Sequence, residues 1–261
     1  MGITSISEQT KLCDAYRSVL DRIAAARERS SHRAYDVAMV AVTKNASPDQ
    51  IRMLVEMGQA NLGENRVQQL SHRVAQLQEF ISRKRTLSAA VVSKTGAELP
   101  PQVRWHMVGH LQRNKVKDVV PLVQLTHSID SLRLAEELHT HAANHDQVVD
   151  ILIQVNASGE MGKFGVTVPA VIHLAEQLNT MIHLRLRGLM AIAPYSENAE
   201  DARPTFARVS ELFSDLQNTK VHGKDFNILS MGMSGDFEVA IEEGANLVRI
   251  GQALFGNSES G

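Results

Sequence analysis

From residue 36 to its end the chain alternates short apolar runs with amphipathic stretches of helical period, and this alternation restricts the fold more than any other feature. The apolar runs lie at 37–42, 60–62, 104–108, 122–128, 148–155, 184–191, 227–229 and 246–250. Rich in Val, Ile and Leu, they read as buried strands. Helices are predicted between them at 48–57, 66–81, 131–145, 168–178, 199–216 and 236–243. Pro48 and Pro169 fall in the first turn, where the missing N–H goes unneeded. Eight strands alternating with helices predict an α/β fold, a single closed (β/α)8 barrel of TIM type rather than an open doubly wound sheet. One further helix at about 5–33 precedes the first strand and is expected to close the bottom of the barrel.

At 261 residues the chain fits one such barrel, so residues 1–261 are read as one domain. Residues 82–102 break the pattern, with Arg83-Lys-Arg85, weak periodicity and a closing Pro100-Pro101. They read as a mobile insertion. The tail at 257–261 reads as frayed. A net charge of −2 leaves no footprint for nucleic acid or an anionic membrane. No run reaches the ~18 apolar residues of a membrane span, and the N-terminus has no signal pattern. With one cysteine, Cys13, no internal disulfide can form, which suits a reducing compartment. The expectation is a cytoplasmic, soluble protein.

The segment after the seventh run, Ser230-Met231-Gly232-Met233-Ser234-Gly235, leads into a helix beginning at Asp236. Small residues let backbone N–H groups approach an anion, Ser230 and Ser234 offer hydroxyls, and a helix N-terminus adds a favourable dipole. Turn geometry alone would also explain Gly and Ser here. A second Gly-led helix start, Gly251-Gln252, follows the eighth run. In a barrel of this kind the loops after strands seven and eight often share a phosphate.

Lys44 follows the almost wholly apolar run 37–42. Burial would disfavour its ammonium form, as a Schiff-base lysine requires. Strands ~5 Å apart put it ~10 Å from the loop after strand seven, a gap that a ligand with an aldehyde at one end and a phosphate at the other would span. A solvated lysine at a strand end is the plain alternative. Arg249, on the eighth run, is a pure donor that stays charged. Opposite a pyridine nitrogen it would keep that nitrogen unprotonated and weaken the ring as an electron sink. Pairing with Glu243 or Glu64 is the competing role.

Ala41-Val-Thr-Lys44, Gly63-Glu-Asn-Arg66, the stretch from Trp105 to Lys115, Ser230-Met-Gly-Met-Ser234 and Arg249-Ile-Gly251 occur in this order. Over about residues 10–256 the chain resembles the pyridoxal 5′-phosphate (PLP) homeostasis proteins, the YggS or proline-synthetase-co-transcribed family. The resemblance implies the barrel of alanine racemase and PLP held as an internal aldimine. It implies Lys44 as the aldimine lysine, and Ser230, Met231, Gly232, Met233, Ser234, Gly251 and Gln252 as the phosphate site. By the same resemblance Arg249 would partner the pyridine nitrogen and Asn65 would line the pocket. A monomer is expected, with apo PLP-dependent enzymes as transient partners. The long 82–102 segment departs from the compact family pattern and bears on pocket access.

His139, His141 and His145 share one predicted helix without an acidic residue to complete a zinc pattern, so an exposed face explains them. His106 and His110 flank the third run and could face the pocket, as could Tyr195 after the sixth. Three functions fit these residues: a PLP carrier, a PLP racemase of the alanine racemase type, and a phosphate-binding barrel enzyme with an aldolase-like Lys44. A racemase needs acid–base groups on both faces of the substrate carbon. The chain reaches only a short helix after its last strand, leaving no length for the extra domain that supplies the second base in alanine racemase. The expectation is a protein that holds and transfers PLP without substantial amino-acid turnover.

Overall fold

The computed structural model describes residues 6–32, 36–90, 99–160, 162–219 and 225–256. Its strands are β1 (Ala38–Val42), β2 (Asn61–Glu64), β3 (Arg104–Met107), β4 (Leu125–Ile129), β5 (Val149–Asn156), β6 (Val166–Thr167), β7 (Leu184–Ala191), β8 (Ile228–Ser230) and β9 (Leu247–Ile250). All pair in parallel, in the order β4-β3-β2-β1-β9-β8-β7-β5, and a β4–β5 pairing closes the ring. The eight-stranded barrel predicted by the alternation is therefore present. The two-residue β6 is an addition, hanging on the end of β5 through Val155↔Val166.

The helices are α1 (Ile6–Arg29), α2 (Pro48–Glu56), α3 (Val67–Ala90), α4 (Val116–Val119), α5 (Leu132–Asn144), α6 (Val168–Asn179), α7 (Arg203–Thr219), α8 (Phe237–Glu242) and α9 (Gln252–Phe255). Helix α2 starts in a capping box, in which Ser47 Oγ accepts from Gln50 N–H and the Gln50 side chain accepts from Ser47 N–H. Between strands and helices lies the main core, with Leu54, Leu62, Met107, Leu134, Ile151, Phe206 and Phe237 fully buried. A second, smaller apolar cluster joins Val40, Leu125, Leu152, Met190 and Leu247 across five strands. Gly188, at φ +151°, lets β8 approach β7, since a Cβ there would lie 1.8 Å from the Ile228 carbonyl oxygen.

Two expectations need correction. Helix α1 packs on the outer helices α8, α9 and α2, so it flanks the seam of first and last strands instead of closing the bottom. Its Ser30 hydroxyl bonds the Ile241 carbonyl at 2.9 Å. The insertion read at 82–102 does not begin at 82, because α3 continues to Ala90. Glu79–Arg83 forms an i,i+4 pair, Lys84 reaches Glu56, and Arg85 donates to the Pro101 carbonyl at 2.8 Å. Local pairs and Arg85 thus carry the helix past the last core residues. The rest of that segment at 91–98, like the tail at 257–261, lies outside the described residues.

Candidate functional site at the mouth of the barrel

A cleft of about 860 Å³ opens at the C-terminal ends of the strands, within the size range of a small-molecule site. Its walls include Val42, Lys44, Asn65, Val108, Ile192, Met233, Ser234, Arg249, Gly251 and Gln252. Seven of the ten residues that the resemblance implies as the cofactor site therefore meet there: Lys44, Asn65, Met233, Ser234, Arg249, Gly251 and Gln252.

Ser230, Met231 and Gly232 do not line the cleft. Ser230 and Met231 are fully buried behind it. The Ser230 hydroxyl faces inward to Arg249 and His127, so it is not a free donor for a phosphate. Gly232 serves packing: at φ +87°, a Cβ would lie 2.7 Å from both the Ala240 Cβ and the Phe237 Cα. The residues of these two loops that do line the cleft are Met233, Ser234 and Gly235, with Gly251 and Gln252. Ser234 Oγ accepts the Ala253 N–H at 3.1 Å and so ties the two loops together. Main-chain bonds bind them further, from Met231 N–H to the Leu247 carbonyl at 3.1 Å and from Arg249 N–H to the Gly232 carbonyl at 3.0 Å. Asp236 also enters the cleft, and its carboxylate accepts the Met233 N–H at 2.6 Å. Burial pushes that carboxyl above the usual range, opposed by the Met233 N–H and by Arg249.

Lys44 is exposed at the rim, contrary to the burial argued from its apolar run. That run gives out at Val42, and Lys44 sits two residues beyond in a turn. Arg249 is buried, and neither competing carboxylate pairs with it. Glu64 goes to Arg73 and Glu243 to Arg203. The Arg249 guanidinium instead donates to the Ser230 carbonyl (2.9 Å), the Ser230 hydroxyl (2.6 Å) and the Ala191 carbonyl (2.9 Å). Burial lowers its pKa to about 10, with Asp236 pulling the other way.

Beneath Arg249 runs a chain of buried polar groups. His127 Nδ1 lies 3.0 Å from Ser230 Oγ, His127 Nε2 lies 3.0 Å from His106 Nδ1, and His106 Nε2 lies 3.4 Å from Asn61 Oδ1. Arginine only donates, so Ser230 accepts from Arg249 and can pass its own proton toward His127. Each imidazole then accepts at Nδ1 and donates at Nε2, and the chain ends on the Asn61 carbonyl oxygen. This direction requires both rings neutral. Burial, with Arg104 nearby, lowers His106 to about 3. Burial first, then the charges on His106 and Arg249, hold His127 well below its usual value.

His106 is thus a satisfied interior histidine, while His110 pairs with Asp130 at 3.1 Å and stacks on Phe164. Among the described residues no cluster of His, Cys, Asp and Glu could hold a metal ion. The His145 ring bonds the His141 carbonyl oxygen, and His139 lies against His183. Tyr195 does border the cleft but is 94% exposed. Sequence reasoning missed Asn45, Lys163, Ser196, Asn198 and Asp236 on the walls. His127 it also missed, although its two-residue spacing from inward-facing Leu125 gave the signal.

Together, the barrel and its mouth place the chain in a defined class. Residues 20–259 match the family described as alanine racemase, N-terminal domain. The pyridoxal phosphate homeostasis protein of Aquifex aeolicus is 37% identical over 248 residues, 94% of this chain and 97% of that protein. An unknown protein from Bifidobacterium adolescentis superposes with a TM-score of 0.83 at 32% identity, covering 98% of both chains. PipY of Synechococcus elongatus PCC7942, solved with PLP bound, gives 0.71 at 29% identity, covering 90% of this chain and 99% of PipY. The chain belongs to the family of pyridoxal phosphate homeostasis proteins. No helix among the described residues is long and apolar enough to cross a membrane.

Proposed function

We propose that the chain binds PLP in this cleft and takes part in intracellular PLP homeostasis, buffering or delivering the cofactor without substantial amino-acid turnover. The observation that carries this reading is one cleft bordered by an exposed lysine, two Gly- and Ser-bearing loops and a buried arginine that no carboxylate among the described residues bonds. Bound there, the cofactor supplies an electrophilic aldehyde carbon, a ring nitrogen and a dianionic phosphate. The residues present fit those three groups. Lys44 offers an amine, and Met233, Ser234, Gly235, Gly251 and Gln252 line the part of the cleft where the phosphate would sit. Arg249 offers N–H groups to an acceptor nitrogen. Asn65 Oδ1, buried and without a hydrogen-bond partner among the described residues, is an acceptor for a hydroxyl.

A racemase of the alanine racemase type is the other reading of the same cleft. It would need acid–base groups on both faces of the reacting carbon, and Arg249 as a fixed donor weakens the ring as an electron sink. Tyr195, the phenol of the cleft, stands out in solvent rather than against a wall. The carrier reading therefore fits better. It places the protein in the cytoplasm as a monomer, with apo PLP-dependent enzymes as transient recipients.

Borohydride reduction of the protein loaded with PLP, followed by peptide mapping, tests this. The pyridoxyl group is expected on Lys44, and Lys44→Ala is expected to abolish it. Attachment to another lysine in the wild type would sink the assignment. Steady α-proton exchange of amino acids at ordinary enzyme rates, ~1–1000 per second, would favour the racemase.

A further inference from the structure

Behind Lys44, on the side away from the cleft, one guanidinium gathers the main chain. Arg73, on α3, donates through Nη1 to the Thr43 carbonyl and to Glu64 Oε1. Its Nη2 donates to the Ala46 carbonyl at 3.0 Å and reaches the Lys44 carbonyl at 3.5 Å. Three carbonyls of the turn that carries Lys44 are therefore held from one side chain. Glu64, the last residue of β2, is fully buried and also accepts from the Thr43 hydroxyl. Its other oxygen, Oε2, is buried and has no hydrogen-bond partner among the described residues, so the carboxylate is aimed at Thr43 and Arg73.

A buried carboxylate with one orphaned oxygen is an expensive way to stabilise a turn, since a capping serine would do it more cheaply. What the pair provides is rigidity. Arginine's planar fork can hold several acceptors at once, whereas a lysine ammonium is a point charge on a flexible stem. The Lys44 side chain is exposed and forms no ion pair among the described residues, so its aim is set by its backbone rather than by partners of its amine.

We propose that Arg73, fixed by Glu64, is a positioning residue: it locks the main chain of residues 43–46 and so directs Lys44 toward the aldehyde end of a bound ligand. The inference rests on the reading of Lys44 given above. In the step it serves, Lys44 Nζ bonds to the aldehyde carbon, two protons leave the nitrogen, and the carbonyl oxygen departs as water. A group held in line for attack accelerates such a step, and loss of alignment slows it about 10- to 100-fold.

The test compares wild type with Arg73→Lys in the full chain, using two ligands that share ring and phosphate. Pyridoxine 5′-phosphate carries an alcohol where PLP carries the aldehyde, so it reports binding without capture. In Arg73→Lys, pyridoxine phosphate affinity is expected to stay within about twofold, while borohydride-trappable attachment to Lys44 slows about 10- to 100-fold. Without ligand, amide hydrogen exchange at residues 44–46 is expected to quicken. Equal losses for both ligands, or unchanged attachment, would overturn the proposal. If Arg73→Lys does not fold, Glu64→Gln reads the same ratio, because it keeps the shape and removes the charge that fixes the guanidinium. Wild-type protein that never attaches PLP to Lys44 would refute the functional reading instead, and exchange at 44–46 would still decide the role of Arg73.

Discussion

Arg203, on the outer wall, sits among three carboxylates: Glu200, Glu242 and Glu243, each at 2.7 Å. Hydrogen bonds to those groups raise its pKa, and Arg29 joins the same Glu242 at 2.7 Å. Arg249, inside the barrel, has carbonyl and hydroxyl oxygens in place of carboxylates, and burial lowers its pKa. The outer network joins α1, α7 and α8 with its charge already neutralised. The inner arginine is held by neutral oxygens, with Asp236 acting on it only through its field. The difference separates an arginine that fastens helices through carboxylates from one whose charge no carboxylate among the described residues bonds.

The sharpest way to break this comparison is to replace each arginine with methionine. Arg249→Met is expected to weaken PLP retention about 10- to 150-fold, the loss of a charged hydrogen bond of about 1.5–3 kcal/mol. Stability is expected to fall as well, because the Ser230 carbonyl, the Ser230 hydroxyl and the Ala191 carbonyl lose their donor, at about 1–3 kcal/mol for a buried group left unsatisfied. Arg203→Met should lower the melting temperature by the equivalent of only about 1 kcal/mol, without touching PLP binding. Thermal melts beside ligand titration check both, and unchanged PLP retention in Arg249→Met would erase the distinction.

The neutral histidine pair under Arg249 gives the next largest effect. Unfolded histidines take up protons near pH 6.5, whereas His106 resists until about 3. The unfolded state therefore binds more protons between those values, and stability should fall as pH drops from about 6.5 toward 3, by a few kcal/mol. Chemical denaturation at pH 7 and pH 4.5 should show a shallower loss in His106→Asn than in wild type. Ser234→Ala comes next, with a loss of roughly 1.5–3 kcal/mol in PLP affinity and little change for pyridoxal lacking its phosphate. Equal losses for both aldehydes would remove Ser234 from the anion end. Arg85→Ala is the smallest, at about 0.5–1 kcal/mol of stability in a denaturant titration. No change at all would favour reading the end of α3 as a loosely attached segment.

Barrel closure was legible because each strand carries its own apolar run and each helix its own period. The site was legible in part, for the same reason that limits it. Motif spacing located the loops but not the direction of each side chain within them. Ser230 looked like a phosphate donor by composition, yet it is the last residue of β8 and alternation turns it inward onto Arg249. Lys44 looked buried because its strand is apolar, but it sits two residues past the strand end. Arg73 could not be read at all. It binds carbonyls of a turn some 30 residues away, and no local pattern marks a residue whose partners are main-chain oxygens.

The main-chain stitches between the loop after β8 and the start of β9 have one more consequence. Because Arg249 N–H is bonded to the Gly232 carbonyl, and Ser234 Oγ accepts the Ala253 N–H, the arginine and the two loops share one stitched stretch of backbone. The guanidinium is held in turn by the Ser230 and Ala191 oxygens, so its distance from those loops is fixed by main-chain and side-chain bonds together. For a ligand that occupies the cleft as proposed, that spacing would act as a gauge: a phosphate of another length would meet one end only.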